Sequence, residues 1–232
     1  MSVLVITGAS KGIGLATARR FADEGYRVIN ISRSPAPDER IENHRTDLSL
    51  DDAEWQLREL LLKTLQAGRI CVVHNAGKLA NDTADATLTE AFEEILNINV
   101  VAPHFINQIV MPRMHPGSSI IYLGSTLSEK AVPNTYSYVV SKHAIVGMMR
   151  ATCQDLAGRE IHTACICPGF TDTEMLRAHV GDDARVLRDI AAASTFGRLV
   201  EPEEIAAAIW FAANNPVVNG AVIHANLGQV ER

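Results

Sequence analysis

The sequence is short of several things that would announce a class. It has only four cysteines, Cys71, Cys153, Cys165 and Cys167, at neither disulfide-framework nor metal-ligand spacing. The eight histidines are scattered, with no pair at metal-binding helical spacing. No metal is expected, the thiols read as buried, and the imidazoles read as surface or capping groups. Basic charge is not in excess: the formal net charge is −6 and the pI about 5.7. This excludes an electrostatic footprint for nucleic acid or an anionic membrane. No apolar run approaches the ~20 residues of a spanning helix. The opening MSVLVITGAS has no basic region and only four consecutive apolar residues. No signal peptide is expected, and the reading is a soluble, cytoplasmic protein without membrane or nucleic-acid partners. Repeats, low-complexity segments and linkers are absent as well.

What is there is enough apolar material, 47% of 232 residues, to bury one sizeable core. Short apolar runs alternate with longer helical patterns. VLVIT (3–7), RVINIS (27–32), ICVVH (70–74), SIIYLG (119–124), HTACIC (162–167) and AVIH (221–224) read as strands, with a weaker one near NHRT (43–46). Helices are expected over about 12–24, 51–66, 88–114, 136–157 and 202–213. Strands that are apolar on both faces and separated by helices pair in parallel beneath helix-covered faces. Right-handed crossovers then wind the sheet doubly. The stretch 169–200 is irregular in composition, with room for a short helix near 173–180, and reads as a lid-like loop. Cys165 and Cys167 alternate within one strand and so share a face.

Several stretches carry chemistry. In TYSYVVSK (135–142), Tyr138 and Lys142 are four apart and stack one above the other on a helix, whereas Tyr136 points elsewhere. The pair suits either catalysis or the amphipathic start of an ordinary helix. TGASKGIG (7–14) follows the first strand, with Gly8, Gly12 and Gly14 in GxxxGxG spacing. Such glycines allow a tight turn and close backbone approach, and the helix N-terminus offers N–H groups to a pyrophosphate. They also serve a plain strand-to-helix connection. The second strand ends at Ser32 and Arg33, where a carboxylate would bind the ribose hydroxyls of NAD. A guanidinium there suits a 2′-phosphate, with Lys11 as a second positive charge, so the residues favour NADP(H) over NAD(H). The alternative is that Arg33 is a solvated surface charge.

Along 88–114, Phe92, Ile95, Leu96, Ile106 and Ile109 recur at three- or four-residue spacing, and Asn99 interrupts that face. A buried amide must be hydrogen-bonded or it costs about 1–3 kcal/mol. Pro103, four residues on, lacks the N–H that would meet the Asn99 carbonyl, so a kink is expected here. Asn99 serves either the chemistry or only that kink.

Taken in order, TGASKGIG, Asp47 in TDLS, HNAG (74–77), Asn99 in NINV, Ser125 in GST, YVVSK (138–142) and PGFTDTEM (168–175) resemble the short-chain dehydrogenase/reductase family. The resemblance is to its shorter single-domain branch and runs over essentially the whole chain. It implies one α/β domain over 1–232, a Rossmann-type doubly wound, mostly parallel sheet of about seven strands with helices on both faces. It further implies an oxidoreductase that interconverts a ketone, aldehyde or 3-oxoacyl carbonyl with an alcohol. NADP(H) is the expected cofactor, with NAD(H) as the alternative. Tyr138 would be the general acid or base, Lys142 would aid it and hold the nicotinamide ribose, and Ser125 would hydrogen-bond the substrate oxygen. The Asn99 carbonyl would hold a water of the proton relay. Ser125 lies thirteen residues before Tyr138, just after its strand, whereas Ser118 and Ser119 open that strand and Ser128 lies further into the loop. Cofactor contacts are implied for Gly8, Ser10, Lys11, Gly12, Ile13, Gly14, Arg33, Asp47, Leu48, Asn75, Ala76, Gly77, Tyr138, Lys142, Pro168, Gly169, Thr171 and Thr173. For Ala76 and Pro168 packing is an equal reading.

Two departures stand out: His74 replaces a frequent asparagine, read as a tolerated variant, and NLGQVER stands where many members carry an Asp-Gly-Gly turn and a longer tail. A rival reading is a nucleotide-binding regulator without turnover, but such proteins typically lose the Tyr or Lys, and both are here. Leu127, Pro133, Phe170, Met175 and Leu176 form the expected apolar pocket wall. By analogy with the family, helices 88–114 and 136–157 would pack between subunits of a homodimer or homotetramer.

Overall fold

A computed structural model describes residues 2–181 and 183–230. Glu231 and Arg232 of the closing heptapeptide lie outside the described residues. The strands are β1 (Val3–Thr7), β2 (Arg27–Ser32), β3 (Ile41–Arg45), β4 (Ile70–His74), β5 (Ser119–Leu123), β6 (His162–Pro168) and β7 (Ala221–Ala225). The helices are α1 (Gly12–Asp23), α2 (Ala53–Thr64), α3 (Thr89–Leu96), α4 (Ala102–Val110), α5 (Tyr136–Asp155), α6 (Glu174–Val180), α7 (Ala184–Ala191) and α8 (Pro202–Asn214). All seven strands join one sheet in the order β3-β2-β1-β4-β5-β6-β7, and every pairing is parallel. Strand order reverses between β1 and β4, the switch point where open α/β sheets bind ligands beyond their carboxyl ends.

Alternation along the strands divides the core. Val3, Val5, Ile29 and Ile31 point to the face covered by α2, α4 and α5. Leu4, Ile6, Val28 and Val73 point to the face covered by α1 and α8. On the second face Phe21, Tyr26 and Trp210 meet edge-to-face at 4.8–5.7 Å and lock α1 to α8.

The weak strand near 43–46 is real but begins earlier, at Ile41. The expected helix over 88–114 is divided. Between α3 and α4 the backbone widens into a π-helical turn, Asn97–Val101, and a 3₁₀ turn, Met111–Arg113, follows α4. Pro103 is the cause: without its N–H the i→i−4 ladder cannot run past Asn99, and the helix adapts by widening. The 169–200 stretch holds two helices rather than one. The second, α7, is started by Asp183, whose carboxylate accepts from the Arg185 N–H at 2.7 Å. Among the described residues no helix is long and apolar enough to cross a membrane.

Candidate active site

The glycine turn after β1 is gripped from both sides. The Gly8 N–H donates to the Ile31 carbonyl and the Ala9 N–H to Asn30 Oδ1, each at 2.9 Å, so β2 pins one side. From the other, Asn75 Nδ2 donates to the carbonyls of Thr7 and Gly8, both at 3.0 Å. Thr7 Oγ1 accepts from the N–H groups of Asn75 and Ala76 at 3.1 and 2.9 Å. Gly8 and Gly12 have φ of +72° and +54°, which side chains rarely adopt. Gly14 is required by contact: a Cβ there would lie 2.3 Å from the Gly8 carbonyl oxygen. The first turn of α1 has no side-chain cap, so its N–H groups are free for an anion.

Across from this turn, Thr173 caps α6, and a Cβ on Gly12 would lie 3.2 Å from Thr173 Cγ2. Thr173 therefore packs against Gly12, and the backbone just before it is braced by Thr171 Oγ1 donating to the Gly169 carbonyl at 3.0 Å. A cleft of about 360 Å³ lies beside Gly12, between α1 and the starts of α6 and α8, and is bordered by Gly12, Ala16, Arg19, Thr173, Glu174 and Pro202. Further along the carboxyl edge, Arg33 is exposed at the tip of β2. Asp47 lies near it. The Ser49 N–H and hydroxyl (3.1 and 2.7 Å), and then the charges of Arg33 and Lys78, hold the Asp47 carboxyl below its ordinary range. Leu48 is buried in the core, so its backbone is what remains for a ligand, while Ala76 and Ile13 are half-buried against the cores on the two faces of the sheet. Lys11 is exposed beside the turn, Ser10 is half-buried within it, and Pro168 ends β6 paired with Ala225. A left-handed glycine turn, free helix N–H groups and a cation at the β2 tip fit a phosphorylated dinucleotide.

The second group gathers at the end of β5. Ser125 Oγ accepts from the Leu127 N–H, and Ser128 Oγ accepts from the Ser125 N–H, both at 3.1 Å. This reciprocal box fixes a 3₁₀ turn, Thr126–Ser128, and leaves the Ser125 O–H as a donor. Behind it, a Cβ on Gly124 would lie 2.7–2.9 Å from Cys167 Sγ, Cys165 Sγ and Ser128 Oγ. Lys142, 5% exposed, donates from Nζ to the Leu123 carbonyl at 2.7 Å and lies 5.4 Å from the Tyr138 ring centroid. Asn99, 2% exposed, uses its whole amide. Its Oδ1 accepts from the Lys78 N–H at 2.8 Å, and its Nδ2 donates to the Lys78 carbonyl at 3.0 Å and to Ser141 Oγ at 2.9 Å. Gly77 lies beneath, its Cβ position 3.6 Å from Asn99 Oδ1 and 3.7 Å from Lys142 Nζ. Tyr136, by contrast, is exposed and stacks on Phe92 at 5.7 Å.

Of the expected pocket wall, Leu127 and Leu176 are half-buried, while Phe170, Met175 and Pro133 are exposed. The four cysteines are free; Cys71, Cys165 and Cys167 are buried and Cys153 is half-buried. The histidine expectation needs correction, because His74 and His162 are core residues. His74 Nε2 bonds Asn107 Oδ1 at 2.8 Å, Asn107 Nδ2 donates to Tyr122 Oη at 2.7 Å, and Tyr122 Oη meets Thr152 Oγ1 at 3.1 Å. His162 Nε2 bonds the Ala212 carbonyl at 2.8 Å. Each imidazole has a partner at Nε2, although His74 Nδ1 is buried without one. Sequence reasoning sets Ser128 aside as lying further into the loop and misses Ser141. Their signal was present: Ser128 stands three residues after Ser125, as in a capping box, and Ser141 is a polar residue beside Lys142.

Residues 8–229 match the family model described as Enoyl-(Acyl carrier protein) reductase. The chain is 33% identical over 248 aligned positions to a 3-oxoacyl-(acyl-carrier-protein) reductase of Thermotoga maritima, covering 98% of this chain and 97% of that one. It is 30% identical over 213 positions to dehydrogenase/reductase SDR family member 6 of Xenopus laevis, covering 88% and 86%. A solved structure, a short chain dehydrogenase family protein from Francisella tularensis, is similar with a TM-score of 0.90 at 25% identity, covering 98% of both chains.

Proposed function

The chain belongs to the short-chain dehydrogenase/reductase family of oxidoreductases, and on that premise we propose that it is an NADP(H)-dependent carbonyl reductase or alcohol dehydrogenase with Tyr138 as general acid and base. The observation that carries the reading is the placement of Lys142. Its ammonium is buried, tied to the end of β5 two residues before Ser125, and 5.4 Å from the Tyr138 ring. A buried ammonium is costly unless it has a use or a partner. Here it lies beside the Tyr138 ring and is tied to the strand end that leads to Ser125, which supports this reading.

In the reductive direction Tyr138 gives its phenolic proton to the carbonyl oxygen as negative charge develops there, and the positive charge of Lys142 favours the phenolate left behind. The Ser125 O–H, its acceptor side already occupied by Leu127 N–H, donates to the same oxygen. The Asn99 carbonyl, freed by Pro103, is suited to hold a water that returns a proton through Lys142. Gly8, Ser10, Gly12, Ile13 and Gly14 would cradle the pyrophosphate, Arg33 and Lys11 a 2′-phosphate, and Asp47 and Leu48 the adenine. Asn75, Ala76 and Gly77 would face the adenosine ribose, and Pro168, Gly169, Thr171 and Thr173 the nicotinamide side. When bound, the nicotinamide supplies or takes up the hydride. Residues 1–232 read as one domain with 169–200 as the substrate loop, in a cytoplasmic homodimer or homotetramer. The substrate is a small carbonyl or alcohol compound, 3-oxoacyl thioesters among the candidates.

The test is a panel of ketones, aldehydes and 3-oxoacyl thioesters assayed with NADPH and NADH. Tyr138→Phe should lower turnover about 10²–10⁴-fold, while NADPH binding, followed by nicotinamide fluorescence, stays close to wild type. Unchanged turnover in that variant overturns the mechanism. Arg33→Ala should raise the KM for NADPH and leave that for NADH unchanged; a wild-type preference for NADH overturns the cofactor assignment.

A further inference from the structure

Two serines of α5 each stand one residue before a candidate catalytic side chain: Ser137 before Tyr138 and Ser141 before Lys142. Four apart, they share one face of the helix, and both are fully buried. Both are held through the loop that follows β4. Asn99 holds Ser141 and, with the same amide, both main-chain groups of Lys78 at the start of that loop. At the loop's other end the Asp82 carboxylate accepts from the Ser137 N–H at 3.1 Å and from the Ser137 hydroxyl.

The backbone repeats the grip. Asp82 and Thr135 form a parallel bridge, the Asp82 N–H donates to the Asn134 carbonyl at 3.2 Å, and the Tyr136 N–H donates to the Asp82 carbonyl at 3.3 Å. Meanwhile the residue at the N-cap position, Thr135, directs its hydroxyl to the Val132 carbonyl at 2.8 Å and gives the helix no side-chain cap. The first N–H groups of a helix have no partner within it and fray unless something else accepts from them. Here that acceptor comes from 55 residues upstream of Ser137, and a carboxylate is the favoured charge at that end. Tyr138 is the third residue of α5, inside the turn that would fray.

We infer that Asp82 is a positioning residue for the reaction: by capping α5 from the loop after β4, it fixes the turn that carries Tyr138. The inference rests on the reading of Tyr138 as the proton donor. It assigns the loop Lys78–Asp82 a purpose, as a brace attached beside both Tyr138 and Lys142. Loss of the brace leaves cofactor and substrate able to bind but spoils the alignment of the phenol, and a misplacement of about 1 Å can cost on the order of 10²-fold in rate.

The experiment compares Asp82→Ala, Asp82→Asn and Ser137→Ala with wild type, using Tyr138→Phe as control. Asp82→Ala should lower kcat about 10–100-fold with KM and NADPH affinity within about twofold. The solvent deuterium isotope effect on kcat should rise, because proton transfer becomes more fully rate-limiting. Asp82→Asn keeps an acceptor oxygen for the Ser137 N–H and should recover most of the loss. Ser137→Ala keeps that N–H, loses the hydroxyl donor, and should fall between; it serves as the test if Asp82→Ala does not fold. A merely structural role would lower thermal stability while the folded enzyme kept its kcat and isotope effect, and that result overturns the inference. Full turnover by Tyr138→Phe would instead overturn the reading beneath it.

Discussion

Lys142 and Leu123 join the two halves of the candidate site: the ammonium of a helix residue donates at 2.7 Å to the last carbonyl of strand β5. Replacement by Met separates catalysis from stability. The Leu123 carbonyl loses its donor, at about 1–3 kcal/mol. In return an ammonium no longer has to be buried, and that relief is of similar or larger size. Lys142→Met should therefore be within ~1 kcal/mol of wild type or more stable, while kcat falls at least about 100-fold. Urea denaturation and steady-state kinetics on the same preparation check both; turnover kept at wild-type level would remove Lys142 from the chemistry.

Gly14 and Gly68 make a matched pair. A Cβ on Gly14 meets the Gly8 carbonyl oxygen at 2.3 Å and Asn75 Nδ2 at 2.5 Å, while a Cβ on Gly68 meets nothing within 4 Å. The first two atoms belong to the turn and to the side chain that clamps it, so neither can yield without opening the glycine turn. Gly14→Ala should cost about 1–3 kcal/mol and weaken NADPH binding more than tenfold, whereas Gly68→Ala should leave binding unchanged. Fluorescence titration with NADPH gives the answer.

Strand positions were legible because VLVIT, ICVVH and SIIYL are apolar on both faces, a pattern that only a doubly covered parallel strand satisfies. The register of Tyr138 with Lys142 was legible because it is local, set by helix period alone. Asn99 with Pro103 announced an irregularity, but whether the helix would kink or widen depends on what the freed backbone packs against, and the answer is a π turn. Asp82 left no local trace: its partner Ser137 is 55 residues away, and nothing near it in sequence distinguishes it from a surface aspartate. The burial of His74 was equally silent, because it depends on Asn107, Tyr122 and Thr152 from three other elements.

Gly147 lies in the interior of α5, exposed, with nothing within 4 Å of where a Cβ would stand. In such a position glycine costs helix stability through backbone entropy. Gly147→Ala should stabilise the monomer fold by about 0.5–1 kcal/mol. If α5 packs closely against a second subunit, as proposed, the added methyl would instead weaken the assembly. Denaturation midpoints and sedimentation velocity, measured together, separate the two: a stabilised protein of unchanged mass places Gly147 away from any subunit contact.

His74 gives the fold a calculable acid sensitivity. Burial pushes its pKa down to about 4 from the ordinary 6.5, against the smaller opposing effect of its bond to Asn107. Between those values the unfolded chain binds a proton that the folded chain refuses, so acid favours unfolding. The contribution is fully present above pH 6.5, is lost as pH falls toward 4, and is constant below that. Its full size is about 3 kcal/mol. His74→Asn cannot titrate, so its stability carries no such slope, though it loses the imidazole's place in the network at every pH. The wild-type advantage over His74→Asn should therefore shrink by most of about 3 kcal/mol between pH 7 and pH 4.5. All other titrating groups cancel in that difference. Urea unfolding of both proteins at pH 7, 5.5 and 4.5 measures it, and a difference that stays level across that range would show that His74 takes up its proton without leaving the folded core.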